Sequence, residues 1–289
     1  MFRLFTKIFA RQPHLRSTPT TGDAPLLARL THHSGYVREA ALVRLNGPIN
    51  DPETIRAVFL RLNDWVPQVR TAAISALLRC VETTSAEVWA PILKTLLPQM
   101  GNWKRWAKGP HPTTRDVAFD LLLRRDVLDV LLVDLLHSGE GKLGLVFALL
   151  NRNVLLDAHL QEIAAQAALP HIRGMALTCL LTGEMRWPTG GTQMVWVDKS
   201  LGKRRLERVY KTRPLSVDVP MLLVLETATS DKARGVRLNA ADGLIAHRQN
   251  PEVIPRIPEL MARLSNDLSP AMQGRMEFLE RKLAEEAQT

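Results

Sequence analysis

The stretch Val37-Arg38-Glu39-Ala40-Ala41-Leu42-Val43-Arg44-Leu45 returns twice more along the chain. Its near-copies are Val69-Arg70-Thr71-Ala72-Ala73-Ile74-Ser75-Ala76-Leu77 and Val236-Arg237-Leu238-Asn239-Ala240-Ala241-Asp242-Gly243-Leu244, and weaker copies contain Arg115 and Arg173. The apolar residues of each copy are three and four positions apart, which is the spacing of one face of an α-helix. A pattern with a period of roughly 30 residues is typical of an array of stacked, similar units.

A second helix is predicted after two of the copies. Asp51-Pro52-Glu53 and Asn250-Pro251-Glu252 each combine an N-cap residue, a proline suited to the first helical position and an acid near the positive end of the helix dipole. Both caps lie 14 residues beyond the valine that opens their copy. Because two independent signals keep the same register, each repeat is expected to be a pair of helices.

The repeat also carries a recurring acid. Asp64 and Asp231 each precede the arginine of their copy by six residues. The resulting string, D-x-x-x-x-V-R-x-x-A-x-x-x-L, resembles the HEAT-repeat family, including the short bacterial HEAT-like repeats. The resemblance covers roughly residues 24–285 apart from one insertion. It implies that the V-R helices line a concave side, and that Asp64, Arg70, Asp231 and Arg237 are structural residues that bond between neighbouring repeats.

We therefore expect an all-α fold, a HEAT-like α-solenoid of about seven helix pairs with an inserted β-hairpin. The solenoid would span residues 23–289, after a basic amphipathic segment and linker at 1–22. First helices are predicted near 24–32, 52–63, 86–99, 127–137, 155–168, 216–229 and 252–266. Second helices are predicted near 35–46, 67–80, 113–125, 141–151, 171–183, 233–247 and 270–285.

The net charge of +9 is concentrated in two segments. Residues 1–22 contribute four positive charges and residues 186–213 contribute a net six, so the rest of the chain carries one net negative charge. Concentrated basic charge points to an anionic partner surface. No apolar stretch is long enough to predict a transmembrane segment. Cys80 and Cys179 stand alone in separate apolar segments, so neither a disulfide framework nor a zinc site is predicted.

Residues 187–214 break the helical period and predict a basic β-hairpin inserted between two repeats. Met194–Val197 and Leu206–Tyr210 are β-prone runs, and residues 198–203 favour a turn. The candidate partner-binding residues are Trp196, Lys199, Lys203, Arg204, Arg205, Arg208 and Tyr210. Two interpretations fit the hairpin. It is either a contact element for an acidic protein or nucleic acid, or a solvated loop whose charge aids solubility.

Two other segments are candidate surfaces. Tryptophans alternate with basic residues in the long connection at residues 101–112, as Trp103, Lys104, Arg105 and Trp106. This composition suits nucleic-acid binding, and it equally suits a loop whose indoles pack back onto the helices. If residues 1–11 are helical, Phe2, Phe5, Ile8 and Phe9 form one face. Three roles fit that face: docking on a membrane or partner, an organellar transit peptide, or a cap on the first repeat.

The sequence lacks the enzyme motifs H-E-x-x-H, C-x-x-C and G-x-S-x-G. His32 and His33 are adjacent and point in different directions on a helix or at its end, which favours a capping or exposed role over a metal site. We therefore expect a noncatalytic scaffold or adaptor that binds a protein partner, with no cofactor and no metal. It would lie in the cytoplasm or at the membrane periphery.

The alternative is a nucleic-acid-binding protein of the same class. Some bacterial HEAT-like proteins are DNA repair glycosylases that use aromatic residues and an acid in the concave groove. Trp103, Trp106 and Asp116 are the residues that would supply such a set here, without a match to a glycosylase motif. Charge distribution distinguishes the two hypotheses. A continuous basic stripe along the concave side favours nucleic acid, whereas a neutral or apolar groove with one isolated basic hairpin favours protein.

Overall fold

A computed structural model describes residues 25–100, 103, 105 and 124–288. These residues form two compact units. The first unit includes residues 25–88 together with 103 and 105, and the second includes residues 89–100 and 124–288.

The first unit contains two helix pairs. Its helices are α1 (Leu26–Leu30), α2 (Gly35–Arg44), α3 (Pro52–Arg61) and α4 (Pro67–Cys80). The next helix, α5 (Ala86–Met100), begins in the first unit and has most of its residues in the second. Asp51 caps α3, since its carboxylate accepts hydrogen bonds from the amides of Glu53 and Thr54 at 3.2 and 2.9 Å. The two repeat helices, α2 and α4, pack against each other. Ala41 and Ala73 are both fully buried, as expected for the small residue that lets two helices approach closely.

The second unit repeats this arrangement. Its helices are α6 (Arg125–His137), α7 (Leu143–Leu150), α8 (Leu160–Gln166), α9 (Pro170–Thr182), α10 (Met221–Thr229), α11 (Arg234–Ala246), α12 (Ile257–Ser265) and α13 (Pro270–Glu286). The V-R helices α9 and α11 pack side by side, and α11 packs in turn on α13. The apolar stripe of α13, Met272, Met276 and Leu279, is buried in the core formed with α10, α11 and α12. The last helix therefore closes this core.

Two predicted helices begin with 3-10 turns rather than α-helix. Val154–His159 precedes α8, and Ile254–Arg256 precedes α12. Near α12 the reason is local, because prolines at positions 255 and 258 lack the amides that an α-helical turn would use. The side chain of Asn250 accepts a hydrogen bond from the amide of Glu252 at 3.0 Å and so closes a turn. The α-helix itself begins only at Ile257. The helix predicted at 113–125 lies outside the described residues except for its last two positions.

Ion pairs that are buried or half-buried connect successive V-R repeats within each unit. Arg38 binds both carboxylate oxygens of Asp64 at 2.9 Å, and Arg173 binds Asp231 at 2.7 and 2.8 Å. Arg237 binds Asp267 at 2.6 Å. Each of these arginines also donates to the backbone carbonyl six residues before it. Arg70 makes the same backbone bond, to Asp64 at 2.8 Å. The four residues predicted to be structural therefore all form ion pairs or backbone hydrogen bonds that join neighbouring repeats or stabilise the turn before a V-R helix. They are Asp64, Arg70, Asp231 and Arg237.

The predicted all-α, HEAT-like solenoid is wrong as a fold class. The chain is mostly helical, but it also contains a two-stranded antiparallel sheet, formed by β1 (Glu184–Asp198, 15 residues) and β2 (Lys203–Pro214, 12 residues). The strands are about two to four times longer than the β-prone runs in the sequence. Pairing extends down to Glu184 opposite Pro214 and buries Met185 completely, so the sheet is part of the folded unit. The helical period of the repeats does not predict how far the two strands pair.

Candidate functional site

The base of the hairpin is fixed by a buried ion pair. The guanidinium of Arg213 donates to both oxygens of Asp157 at 2.8 and 2.6 Å, and to the carbonyls of Asn151 and Asn153 at 3.0 and 3.1 Å. Ser216 donates to Asp157 through its amide and its hydroxyl at 2.8 and 2.9 Å. Because the Asp157 side chain is fully buried, this network fixes the hairpin base on the end of α7 and the following 3-10 turn.

The electrostatics at this base follow from burial. Burial raises the pKa of Asp157, but hydrogen bonds from Arg213 and Ser216 outweigh it, so the net pKa lies below its ordinary value. Cys179 lies beside the same network, where Asn151 faces its sulfur at 3.9 Å. Burial, with a smaller contribution from the Asp157 charge, raises the pKa of the Cys179 thiol to about 11. This cysteine is therefore protonated and inert at neutral pH.

The tip of the hairpin is a closed turn. One carboxylate oxygen of Asp198 accepts hydrogen bonds from the amide and hydroxyl of Ser200 at 2.8 and 2.6 Å, and from the amide of Leu201 at 3.1 Å. The Ser200 hydroxyl, followed by the Leu201 amide, lowers the pKa of Asp198. Gly202 has φ of +63°, a left-handed conformation that favours glycine. The Asp198 carboxylate therefore stabilises the turn at the tip.

One face of the hairpin is exposed and combines arginine with apolar side chains. Directly paired residues of an antiparallel sheet share a face, and the register pairs Met194 with Leu206 and Trp196 with Arg204. Because side chains alternate between the two faces along a strand, every second residue of β1 and β2 lies on this same face. We call this surface the ribbon face; its exposed residues include Arg186, Met194, Trp196, Arg204, Leu206, Arg208 and Tyr210, together with Glu184, Thr192 and Thr212.

Two of these arginines lie over aromatic rings. The guanidinium carbon of Arg204 is 3.8 Å from the centre of the Trp196 ring, and that of Arg186 is 4.1 Å from the Tyr210 ring. Trp196 is 46% exposed and Tyr210 39% exposed, so the stacked pairs remain open to a partner. Cation–π stacking holds each guanidinium against the sheet while its N–H donors stay available.

The opposite face has a different character. Trp187, Val195, Glu207 and Val209 are half-buried there, and Arg205 forms an ion pair with Glu207. Among the residues that the structure describes, no carboxylate lies within ion-pairing distance of Arg186, Arg204 or Arg208. The uncompensated arginine charge of the hairpin is therefore concentrated on the ribbon face.

The structure brings four of the seven predicted partner-binding residues together: Trp196, Arg204, Arg208 and Tyr210 share the ribbon face. Arg205 and Lys203 alternate onto the other side of β2, and Lys199 lies in the turn. Sequence reasoning missed Arg186, Met194 and Leu206. The period-two pattern of Arg204, Leu206, Arg208 and Tyr210 could have identified Leu206. Nothing local could have shown that Arg213, counted with the basic segment, is neutralised by Asp157.

The other predicted surfaces are only partly described. In the 101–112 connection the structure describes Trp103, which is half-buried, and Arg105, which is exposed. The Arg105 amide donates to the side chain of Asn63 at 3.0 Å. Lys104 and Trp106 lie outside the described residues, as does Asp116 of the glycosylase hypothesis. The N-terminal candidates Phe2, Phe5, Ile8 and Phe9 also lie outside them.

The described residues contain neither a membrane-spanning helix nor a cluster of metal ligands. No helix among them is both long enough and apolar enough to cross a membrane. Within the same residues, no group of three or more His, Cys, Asp or Glu side chains is placed to hold a metal ion. His32 instead closes a turn, because its Nδ1 accepts a hydrogen bond from the amide of Ser34 at 3.1 Å.

Comparison with known proteins leaves the ribbon face as the main functional lead. No protein-family model matches the chain. A search of curated proteins likewise found no match. The resemblance of the repeat motif to the HEAT family therefore stays a prediction from the sequence.

Proposed function

We propose that the chain is a noncatalytic scaffold or adaptor that binds an acidic region of a protein partner through the ribbon face. The observation that carries this proposal is the alternation, on one exposed face, of three uncompensated arginines with Met194, Trp196, Leu206 and Tyr210. Trp, Tyr, Met and Arg are enriched at the centres of protein interfaces, and Trp, Tyr and Arg are the commonest hot-spot residues.

The neighbouring helices support a protein partner over nucleic acid. Arg173 on α9, Arg237 on α11 and Arg275 on α13 each form an ion pair with an aspartate. A nucleic-acid surface would need such arginines free to reach phosphates. These three arginines are thus neutralised by aspartates, whereas within the described residues the three arginines of the ribbon face are not, and this contrast favours a protein partner.

Nucleic acid is the second candidate, and one observation favours it. Arginines stacked on exposed aromatic rings can contact phosphates and bases together, and a two-stranded ribbon fits the major groove of DNA. The aliphatic side chains of Met194 and Leu206 lie at the centre of the same face. Such side chains neither pair with phosphates nor stack on bases. For this reason we place nucleic acid second.

A matched pair of variants tests the proposal. Arg208→Glu and Lys211→Glu change the net charge equally and lie three residues apart, but only Arg208 belongs to the ribbon face. Each variant would be immobilised, and proteins captured from an extract of the native host would be quantified by mass spectrometry beside wild type. We expect a defined protein to be captured by wild type and Lys211→Glu, and to be lost at least about tenfold with Arg208→Glu.

Circular dichroism and melting temperature should be unchanged in both variants, since both side chains are exposed. Equal capture by all three proteins would refute the ribbon face as the contact surface. Capture that disappears after nuclease treatment, with a log-linear dependence of affinity on salt, would instead establish the nucleic-acid alternative.

A further inference from the structure

The two outer edges of the hairpin differ in how far the protein covers them. On β1, the side-chain amide of Asn151 donates to the carbonyl of Arg186 at 2.9 Å, and β1 packs against α7 and α9. On β2, within the described part of the chain, the one strand neighbour is β1. No backbone group of Lys203–Pro214 bonds there to backbone outside that pairing. The outer edge of β2 is therefore the open edge of this sheet.

The hydrogen-bond pattern shows which residues of β2 face that edge. The amide of Leu215 donates to the carbonyl of Gly183 at 2.9 Å, and the carbonyl of Val209 accepts from the hydroxyl of Thr189 on β1 at 3.0 Å. Odd-numbered residues of β2 thus direct their backbone groups toward β1. In an antiparallel pair the intervening residues direct theirs outward. Pro188 and Pro214, which lack amide donors, occupy such outward positions.

The outward backbone groups and the ribbon face belong to the same residues. Arg204, Leu206, Arg208 and Tyr210 are all even-numbered members of β2, and the bulges of the sheet lie on β1. A strand added to this edge would place its directly paired side chains on the ribbon face, next to these four. Main-chain bonds and side-chain contacts would then form along a single line.

Charge selects what can occupy the edge. A second copy of β2 would place arginine and lysine opposite arginine and lysine, and like charges directly opposite each other destabilise strand pairing. Basic side chains are a common means of preventing edge strands from pairing with themselves. An acidic strand meets no such barrier, because each cation on the edge gains an opposite charge.

We infer that the partner supplies an extended acidic segment that adds as a third strand along the outer edge of β2. Its carboxylates lie opposite Arg204 and Arg208, and its apolar side chains lie opposite Leu206 and Tyr210. The two arginines are four residues apart, roughly 13 Å along a strand. The segment therefore repeats an acid at every fourth position with an apolar residue midway between. This inference rests on the proposed function and names the chemistry and conformation of the partner.

The probe is a synthetic peptide with Glu at every fourth position, Val midway between the Glu residues and Thr elsewhere. Its binding to the full-length protein is measured by fluorescence anisotropy. One derivative carries N-methyl groups on the Glu and Val residues, and a second carries them on the Thr residues. In a β-strand alternate amides point to opposite edges, so one set faces β2 and the other faces solvent.

We expect wild type and Lys211→Glu to bind the unmodified peptide, and the Arg204→Glu/Arg208→Glu variant to bind it at least about tenfold more weakly. One methylated derivative should also bind at least about tenfold more weakly, since it loses several main-chain hydrogen bonds. The other should bind within about twofold of the unmodified peptide. A control peptide with Lys in place of Glu should not bind.

Equal binding of both methylated derivatives would overturn the third strand, since side chains alone would then hold the peptide. Absence of binding to wild type would overturn it too. Either result leaves the proposed function standing, because that depends on capture of a whole protein and its loss with Arg208→Glu. Tighter binding of an oligothymidine or oligouridine of equal length, with log-linear salt dependence, would overturn the acidic-strand partner in favour of nucleic acid.

Discussion

Arg208 and Arg213 are five residues apart on one strand, yet they have different roles. Arg213 points toward the helices and is held by the buried carboxylate of Asp157. Arg208 points to solvent on the ribbon face and has no carboxylate partner among the described residues. Strand geometry sends odd and even positions to opposite faces, so residue type alone does not distinguish a structural arginine from a binding one.

The small residues of the repeat give a prediction at the same scale. Ala73 is fully buried on α4, where that helix packs on α2. Ala73→Asp places an unpaired charge in this contact, which should reduce the free energy of unfolding by about 3 kcal/mol or more. Ala41→Asp, at the equivalent position of α2, should do the same. Chemical denaturation measures the loss.

The control for this prediction is Gln68→Asp, an exposed position in the first turn of α4. A carboxylate there favours the helix dipole, so its free energy of unfolding should match wild type or exceed it slightly. If Ala41→Asp and Ala73→Asp were as stable as wild type, the register of the repeat would be wrong.

At the scale of elements, close helix approach and strand pairing shape the second unit. The helices α9 and α11 meet where Gly243 faces Leu181: a β-carbon on Gly243 would lie 2.5 and 2.6 Å from the two methyl carbons of Leu181. The equivalent position in the second copy of the repeat is Ala76, so the repeat pattern itself allows a side chain at this position. At Gly243 the packing against Leu181 leaves no room for one. The glycine is required by contact distance.

Gly243→Ala should therefore destabilise the second unit by about 1–3 kcal/mol, because Leu181 must leave its position in a packed contact. Gly235→Ala is the matched control on the same helix, since no atom lies within 4 Å of its added β-carbon. Alanine is the better helix former, so Gly235→Ala should be neutral or stabilising. Thermal unfolding of the two variants decides the matter, and equal melting temperatures would contradict the close approach.

At the scale of the whole molecule, arginine–carboxylate pairs make the chain sensitive to acid. Asp157, Asp231 and Asp267 each have a pKa below the ordinary value of 3.8. Hydrogen bonds from Arg237, then from Ser269, lower the pKa of Asp267 to about 2. A carboxylate whose pKa is lower in the folded state stabilises that state above its unfolded pKa. The stabilisation is lost as the pH falls through the folded value.

We therefore expect the melting temperature of wild type to fall as the pH decreases from about 4 toward 2. Asp267→Asn should be less stable than wild type at neutral pH, and its melting temperature should decline less steeply over that window. Asp218→Asn, which removes an exposed carboxylate without an ion pair among the described residues, should follow the wild-type curve. Parallel curves for wild type and Asp267→Asn would show that the Arg237 pair does not contribute to acid stability.

The sequence alone was enough to locate most of the helices, the basic hairpin and its turn. The Asp51 cap, the prolines at first helical positions and the Asp198–Gly202 turn act within a few residues of chain, so their effects are visible in local sequence. The buried alanines followed from helical periodicity in the same way.

Only the tertiary structure decided the fold class, the ribbon face and the open edge. Two irregularities, between Pro188 and Thr192 and between Trp196 and Asp198, insert residues on β1, so residue spacing could not show which side chains share a face. The anchor between Asp157 and Arg213 spans 56 residues of sequence. Long-range pairing of this kind depends on how the whole chain packs, and no local pattern encodes it.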